Sequence, residues 1–154
     1  MIDLASLPLR TALPHEAGAL RDLARAAYAK WVPVLGREPR PMQADYEAAV
    51  QTFRFDVVEL DGRIIASVQT QPREDHFWVE SVAVAPEWHG QGLGRRLLAH
   101  AEVLARQSRL PEIRLLTNGK MAANRRLYAS VGYTEDREEP FWDGTVVYLS
   151  KRLR

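Results

Sequence analysis

The sequence predicts a single α/β domain, and three observations carry that reading. Apolar residues recur at the three-and-four spacing of a helix early in the chain; after residue 53 the period changes to that of strands; strand-like and helix-like runs then alternate to the end. A length of 154 residues with 46% hydrophobic content suits one core, and no linker, internal repeat or low-complexity tract divides it.

Taken in order, a short strand near Leu9 precedes a helix that starts near Pro14, with Leu20, Leu23, Ala24, Ala27, Tyr28 and Trp31 on one face. "VPVLGREPRPM" then carries three prolines and a glycine, which predicts an ordered but irregular connection. "MQADYEAAVQTF" reads as a second short helix, because Met42, Tyr46, Ala49, Val50 and Phe53 share a side. Asp61-Gly62 is a strong hairpin signal and sets strands Phe55 to Leu60 and Arg63 to Thr70 antiparallel. "HFWVESVAVAP" is a third strand, ended by Pro86. A helix from about Gly94 to Ser108 follows, with Leu97, Leu98, Ala101, Leu104 and Ala105 inward. "EIRLLTN" is a strand, "MAANRRLYASVG" a helix closed by Gly132, and "TVVYLSKRL" the last strand.

Composition excludes several functions. The 21 Lys and Arg nearly cancel the 20 Asp and Glu, so the net charge of +1 gives no field that would gather a polyanion, and nucleic acid is not an expected partner. The absence of cysteine removes disulfides, thiolate metal sites and a cysteine nucleophile together. His15, His76 and His100 show no ligand spacing, so no metal is expected. "MIDLASLPLR" lacks the pattern of a signal segment, and no run approaches the roughly 20 apolar residues that span a bilayer. We read a soluble, cytoplasmic protein with no membrane partner.

The stretch "WHGQGLGRRLLAH", residues 88–100, places three glycines at alternate positions directly before a helix. A strand, glycine-rich turn and helix form an anion trap, since the first helical amides lack acceptors and carry partial positive charge. Two familiar phosphate loops fail on spacing. A dinucleotide fingerprint needs glycine where Arg95 stands and an acid near Arg114; a Walker loop needs Lys and Ser or Thr where Arg95-Arg96-Leu97 stand.

"VESVAVAPEWHGQGLGRRLL" followed by "RLLTNGKMAANRRLYASVGYTE" resembles the acetyl-coenzyme-A-binding heart of the GNAT N-acetyltransferase family. The family loop, Gln/Arg-x-x-Gly-x-Gly/Ala, matches His89, Gly90, Gln91, Gly92, Leu93 and Gly94; the later match is Asn124, Tyr128 and Gly132-Tyr133. The departure is His89, where the family has Gln or Arg, which makes any contribution from that position pH-dependent. The resemblance extends from Leu9 to Leu153 and implies a mixed, mainly antiparallel twisted sheet flanked by helices.

It also implies acetyl-coenzyme A as co-substrate and transfer of the acetyl group to a primary amine by direct attack in a ternary complex. A small-molecule amine is the expected acceptor; a protein N-terminus or lysine is the alternative, and a non-catalytic coenzyme-A sensor is an alternative of another class. A homodimer is compatible with either. Tyr128 matches the family's general acid, a phenol with a reference pKa near 10 donating to a thiolate of about 8.5; otherwise it is a core tyrosine beside Leu127 and Val131. Glu80, which simple alternation puts on the face of Val82 and Val84, is a base raised by apolar neighbours, or a structural or substrate-orienting carboxylate.

By resemblance, the backbone of Val82, Ala83 and Val84 meets the pantetheine arm and thioester, and the amides of residues 90 to 95 hold the pyrophosphate. Arg95 and Arg96 reach the cofactor phosphates, while Arg125 and Arg126 are read as a solvated face. Asn124 either contacts the cofactor or is ordinary helix surface. The acceptor enters against the first helices and the final hairpin, which points to Tyr28, Trp31, Met42, Tyr46 and Trp142, or these aromatics are core. "EDREE", Glu135 to Glu139, reads as a solvated turn rather than as a cluster that attracts a cation.

Overall fold

The Asp61-Gly62 pair makes the hairpin that it predicts: Asp61 and Gly62 have φ of 52° and 76°, both left-handed as a two-residue primed turn requires, and Leu60 pairs with Arg63. The computed structural model describes residues 2–154. Its elements are β1 (Leu9–Thr11), α1 (Ala17–Tyr28), α2 (Val32–Leu35), α3 (Arg40–Gln43), α4 (Tyr46–Thr52), β2 (Arg54–Leu60) and β3 (Arg63–Pro72). After them come β4 (Phe77–Val84), α5 (Leu93–Gln107), β5 (Glu112–Asn118), α6 (Ala122–Ser130), β6 (Thr134–Phe141) and β7 (Gly144–Arg152).

The strands form one seven-stranded sheet in the order β1-β2-β3-β4-β5-β7-β6. Only β4 and β5 pair in parallel; every other neighbouring pair is antiparallel. Residues Ile65–Thr70 of β3 are buried without a break, so both faces of the central strand are covered. On one face, Phe55 and Val57 pack with Leu20 and Ala24 of α1 and Tyr46 of α4. Val58, Ala66 and Val68 alternate with them and join the main core, in which α5 buries Leu97, Leu98, Ala101, Leu104 and Ala105, the inner face expected from spacing. The C-terminal part of the sheet is covered on one side only: along β5 the buried Ile113, Leu115 and Thr117 alternate with half-exposed neighbours.

Three local expectations are corrected. The proline-rich connection is not irregular throughout: it holds the single turns α2 and α3, with Pro33 and Pro41 in first-turn positions whose amides need no acceptor. The second helix is split, because Ala44 is extended and the Asp45 carboxylate caps α4 through the Ala48 amide at 3.1 Å. "EDREE" is no turn; it lies within β6, where Arg137, Glu138 and Glu139 pair with Tyr148, Val147 and Val146 of β7. Among the described residues, no helix is long and apolar enough to cross a membrane, and no group of three His, Asp or Glu stands ready for a metal.

Leu97 is 0% exposed whereas Val103, on the outer side of the same helix, is 49% exposed. Leu97→Ala should therefore lower the free energy of urea unfolding by about 3 kcal/mol, with Val103→Ala within about 0.5 kcal/mol of the parent.

Candidate active site

β4 pairs with β3 along nearly its whole length but meets β5 at two positions only, Phe77 with Ile113 and Trp78 with Arg114. Beyond Trp78 the two strands part. In an antiparallel ladder the N–H and C=O of one residue point to the same side. The Val82 carbonyl accepts from the Tyr28 hydroxyl at 2.9 Å and the Val84 carbonyl from His89 Nε2 at 2.6 Å, while Ala85 N–H donates to Ile65 of β3. The N–H groups of Val82 and Val84 therefore face the gap between β4 and β5, away from the ladder. Ala83 is buried and belongs to the β3 side.

The loop after β4 explains its glycines. Gly90 and Gly92 take φ of 76° and 90°, and a β-carbon on either would meet no atom within 4 Å. Both thus combine a left-handed backbone with open space in front of it. Gly94 serves differently: its missing β-carbon would stand 3.2 Å from Cδ2 of Leu127, so the start of α5 can close on α6. The first bond of α5 runs from Arg96 N–H to the Gly92 carbonyl, and the N–H groups of Gly90 to Arg95 have no backbone acceptor among the described residues. Six adjacent donors at a helix N-terminus make an anion cradle.

This cradle and the gap share a cleft of about 390 Å³, lined also by Tyr28 and Trp31 from the α1 side and by Asn124, Leu127 and Tyr128 of α6. Tyr128 is buried, its hydroxyl has no protein partner among the described residues, and burial pushes its phenol well above the ordinary range. Burial likewise pushes Tyr28 up to about 12. Asn124 Nδ2 lies 3.5 Å from the Met121 sulfur. His89 does not reach forward into the cleft's anion cradle; its bond back to Val84 ties the loop to the strand and requires the proton on Nε2.

Glu80 departs from its expected setting. β4 bulges there: Val79 pairs with Thr70 and Ser81 with Gln69, leaving Glu80 as the extra residue. Val79, Val82 and Val84 stand opposite Thr70, Val68 and Ala66, one face of β3, so Glu80 is out of step with Val82 and Val84 rather than on their face. Its surroundings are polar, not apolar. Arg40 Nη2 lies 2.8 Å from Oε2, and the Trp78 indole N–H donates to Oε1 at 2.8 Å.

Other expected positions separate in space. Arg95 lines the cleft, but Arg96 turns away and donates to the Leu4 carbonyl at 3.0 Å, and exposed Gln91 contributes only backbone. Tyr28 and Trp31 line the cleft, whereas Met42 and Tyr46 are core: Met42 is buried in the main cluster, and Tyr46 packs on Phe55 with its hydroxyl on the Pro41 carbonyl at 2.6 Å. Trp142 is 78% exposed at the β6–β7 turn, under the Arg37 guanidinium, and does not line the cleft. Arg125 pairs with Glu135 at 2.7 Å. Sequence reasoning missed Arg40 and Trp78. The second was within reach, since residues two apart on a strand share a face; nothing in the sequence joins Arg40 to Glu80.

The sequence profile of the acetyltransferase (GNAT) family matches residues 19–133. A mycothiol acetyltransferase of Nocardiopsis dassonvillei is 38% identical over 71 residues, which is 46% of this chain and 20% of that protein, so the chain matches only about a fifth of that relative's length. Among solved structures, the PaiA N-acetyltransferase of Thermoplasma acidophilum in complex with coenzyme A superposes with a TM-score of 0.80 at 16% identity, covering 96% of this chain and 99% of the other. The ribosomal-protein-alanine N-acetyltransferase of Brucella melitensis gives 0.74 at 22% identity, covering 96% and 100%. At these identities the two structures establish the fold alone. The profile match covers most of the chain, and the chain accordingly belongs to the GNAT family of acetyltransferases.

Proposed function

We propose that the protein transfers the acetyl group of acetyl-coenzyme A to the primary amine of a small molecule, by direct attack in a ternary complex. The observation that carries the reading is the run of six N–H groups from Gly90 to Arg95, unpaired among the described residues, beside the open N–H groups of Val82 and Val84. The fit to the co-substrate is chemical: the first set suits a pyrophosphate, the second an amide-bearing arm ending in a thioester carbonyl, and open space lies in front of Gly90 and Gly92. Arg95 adds positive charge at the same helix end, and Asn124 flanks the arm from α6. The solved relative whose structure contains coenzyme A has the same fold, which supports the assignment.

The chemistry asks for a deprotonated amine, a stabilised oxyanion and a proton for the departing thiolate. As the amine nitrogen bonds to the thioester carbon and the carbon–sulfur bond breaks, Tyr128 gives its phenolic proton to the sulfur. Its burial favours the neutral phenol, the form that can donate. The Val82 and Val84 N–H groups face the developing oxyanion. Glu80 takes the amine proton through water, held in place by Arg40 and Trp78. Tyr28 and Trp31 offer the acceptor a wall of mainly apolar surface.

Incubating the protein with acetyl-coenzyme A and a panel of small amines, polyamines and peptides, while following free thiol, tests the proposal. Release with small amines supports it; release only with peptides would replace the acceptor class. Tyr128→Phe should lower kcat by roughly 100-fold or more with coenzyme-A affinity nearly intact. Since burial raises the phenol and so extends its protonated form upward in pH, the wild-type rate should show no loss from Tyr128 ionisation between pH 8 and 10.

A pair of variants isolates the cradle. Gly92→Ala and Gly36→Ala both force a side chain onto left-handed backbone, φ 90° and 76°, at similar cost of about 1 kcal/mol. Only Gly92→Ala should weaken coenzyme-A binding in calorimetry, by roughly tenfold or more.

A further inference from the structure

A second concavity of about 570 Å³ lies outside the acyl-transfer cleft, on the helix-free face of the sheet where β4, β5, β7 and β6 adjoin. Its lining includes Arg73, Arg114 and Arg137 with the rings of Trp78 and Tyr148. The three guanidiniums share one arrangement. Each is held at Nε: Arg73 by Gln71 Oε1 at 3.2 Å, Arg137 by Glu139 Oε2 at 3.1 Å, and Arg114 by Glu112 Oε1. Two are also backed by rings, Arg73 at 4.9 Å from the Trp78 centroid and Arg137 at 3.7 Å from that of Tyr148. Among the described residues the terminal nitrogens of all three make no hydrogen bond; Arg114 Nη2 comes no nearer than 3.9 Å to Asp75, and Arg73 has no carboxylate partner at all.

A guanidinium fixed at Nε and by a ring, with its outer fork free, is preorganised for an oxyanion. Glu112 and Glu139 offset the charges of Arg114 and Arg137, and Asp136 also lines the basin, so Arg73 is the one of the three with no carboxylate partner among the described residues, and what the basin offers an oxyanion is the open outer forks. The basin also adjoins the chemistry. Trp78 lines it, is the last residue of β4 paired to β5, and donates its indole N–H to Glu80. From Trp78 to Val82 is about 13 Å along a strand, less across the bulge.

Resting on the acetyl-transfer reading above, we propose that this basin binds an oxyanionic group, carboxylate or phosphate, on the acceptor, about 10 Å from the amine that is acetylated. The acceptor lies along the helix-free face, its anion on Arg73 and Arg137, its amine past Glu80 at the parting of β4 and β5. The site thereby selects amines that carry a negative charge at their far end.

Thiol release with octylamine, aminooctanoate and aminooctyl phosphate tests this, since the three share a chain and differ in the far group. We expect kcat/KM for at least one anionic amine to exceed that for octylamine by about tenfold, through KM rather than kcat. The ratio should fall to about one in the Arg73→Gln, Arg137→Gln double variant and persist in Arg21→Gln, an exposed change on α1. The better of the two anionic amines identifies the oxyanion. A wild-type ratio of one or less, or a ratio unmoved in the double variant, overturns the proposal. If none of the three amines yields thiol, acetyl transfer to such amines fails by itself, and calorimetry with the same compounds decides the basin. Binding of an anionic amine but not of octylamine, lost in the double variant, upholds it; equal binding or none overturns it.

Discussion

The site depends on one interruption in the sheet. β4 and β5 are parallel neighbours for two residues and then separate, and the N–H groups on that edge of β4 are left unpaired in the middle of a protein. Such an edge is costly to leave unpaired unless its donors and acceptors find partners. Here the acceptors are served by the chain itself, through Tyr28 and His89, and the donors are left over. A strand with its carbonyls capped and its amides open is a one-sided hydrogen-bonding surface, suited to a ligand that brings carbonyl groups. The glycine loop continues the same logic past the strand's end, with six further donors and no acceptors of their own.

Much of this was legible in the residues because it depends on local physics. Asp61-Gly62 fixes its hairpin through left-handed dihedrals, the inner face of α5 follows from spacing, and the loop glycines report positions where backbone needs room. The family motif added the order of the elements. What escaped was long-range or depended on a single irregularity. A bulge cannot be read from alternation, so Glu80 stands out of step with the face that alternation predicts. Met42, Tyr46 and Trp142 all look like pocket residues by type, yet two are taken up by the packing of α1, α3 and α4, and the third stands at a hairpin tip. Arg96 resembles Arg95 in sequence and differs only because a carbonyl ninety-two positions away claims it.

The polar surroundings of Glu80 bear on how the two halves of the chemistry are divided. Tyr128 sits in a place that favours a neutral, proton-bearing group, while Glu80 sits between a guanidinium and an indole N–H that hold its two oxygens apart in direction. The two residues belong to different elements, one to α6 and one to the bulge of β4. In the proposed mechanism the proton donor and the proton acceptor are thus each shaped by their own neighbours rather than by the other.

The contact of Tyr28 with Val82 couples the packing of the interior to the open edge of β4. The helix that carries Tyr28 is anchored by Leu20, Leu23 and Ala24, buried side chains that do not line the cleft. Any exchange among them that slides the helix also shifts the hydroxyl, and with it the strand that presents its amides. An exchange in that oily layer therefore alters how the open edge is presented without adding or removing any atom of the cleft wall.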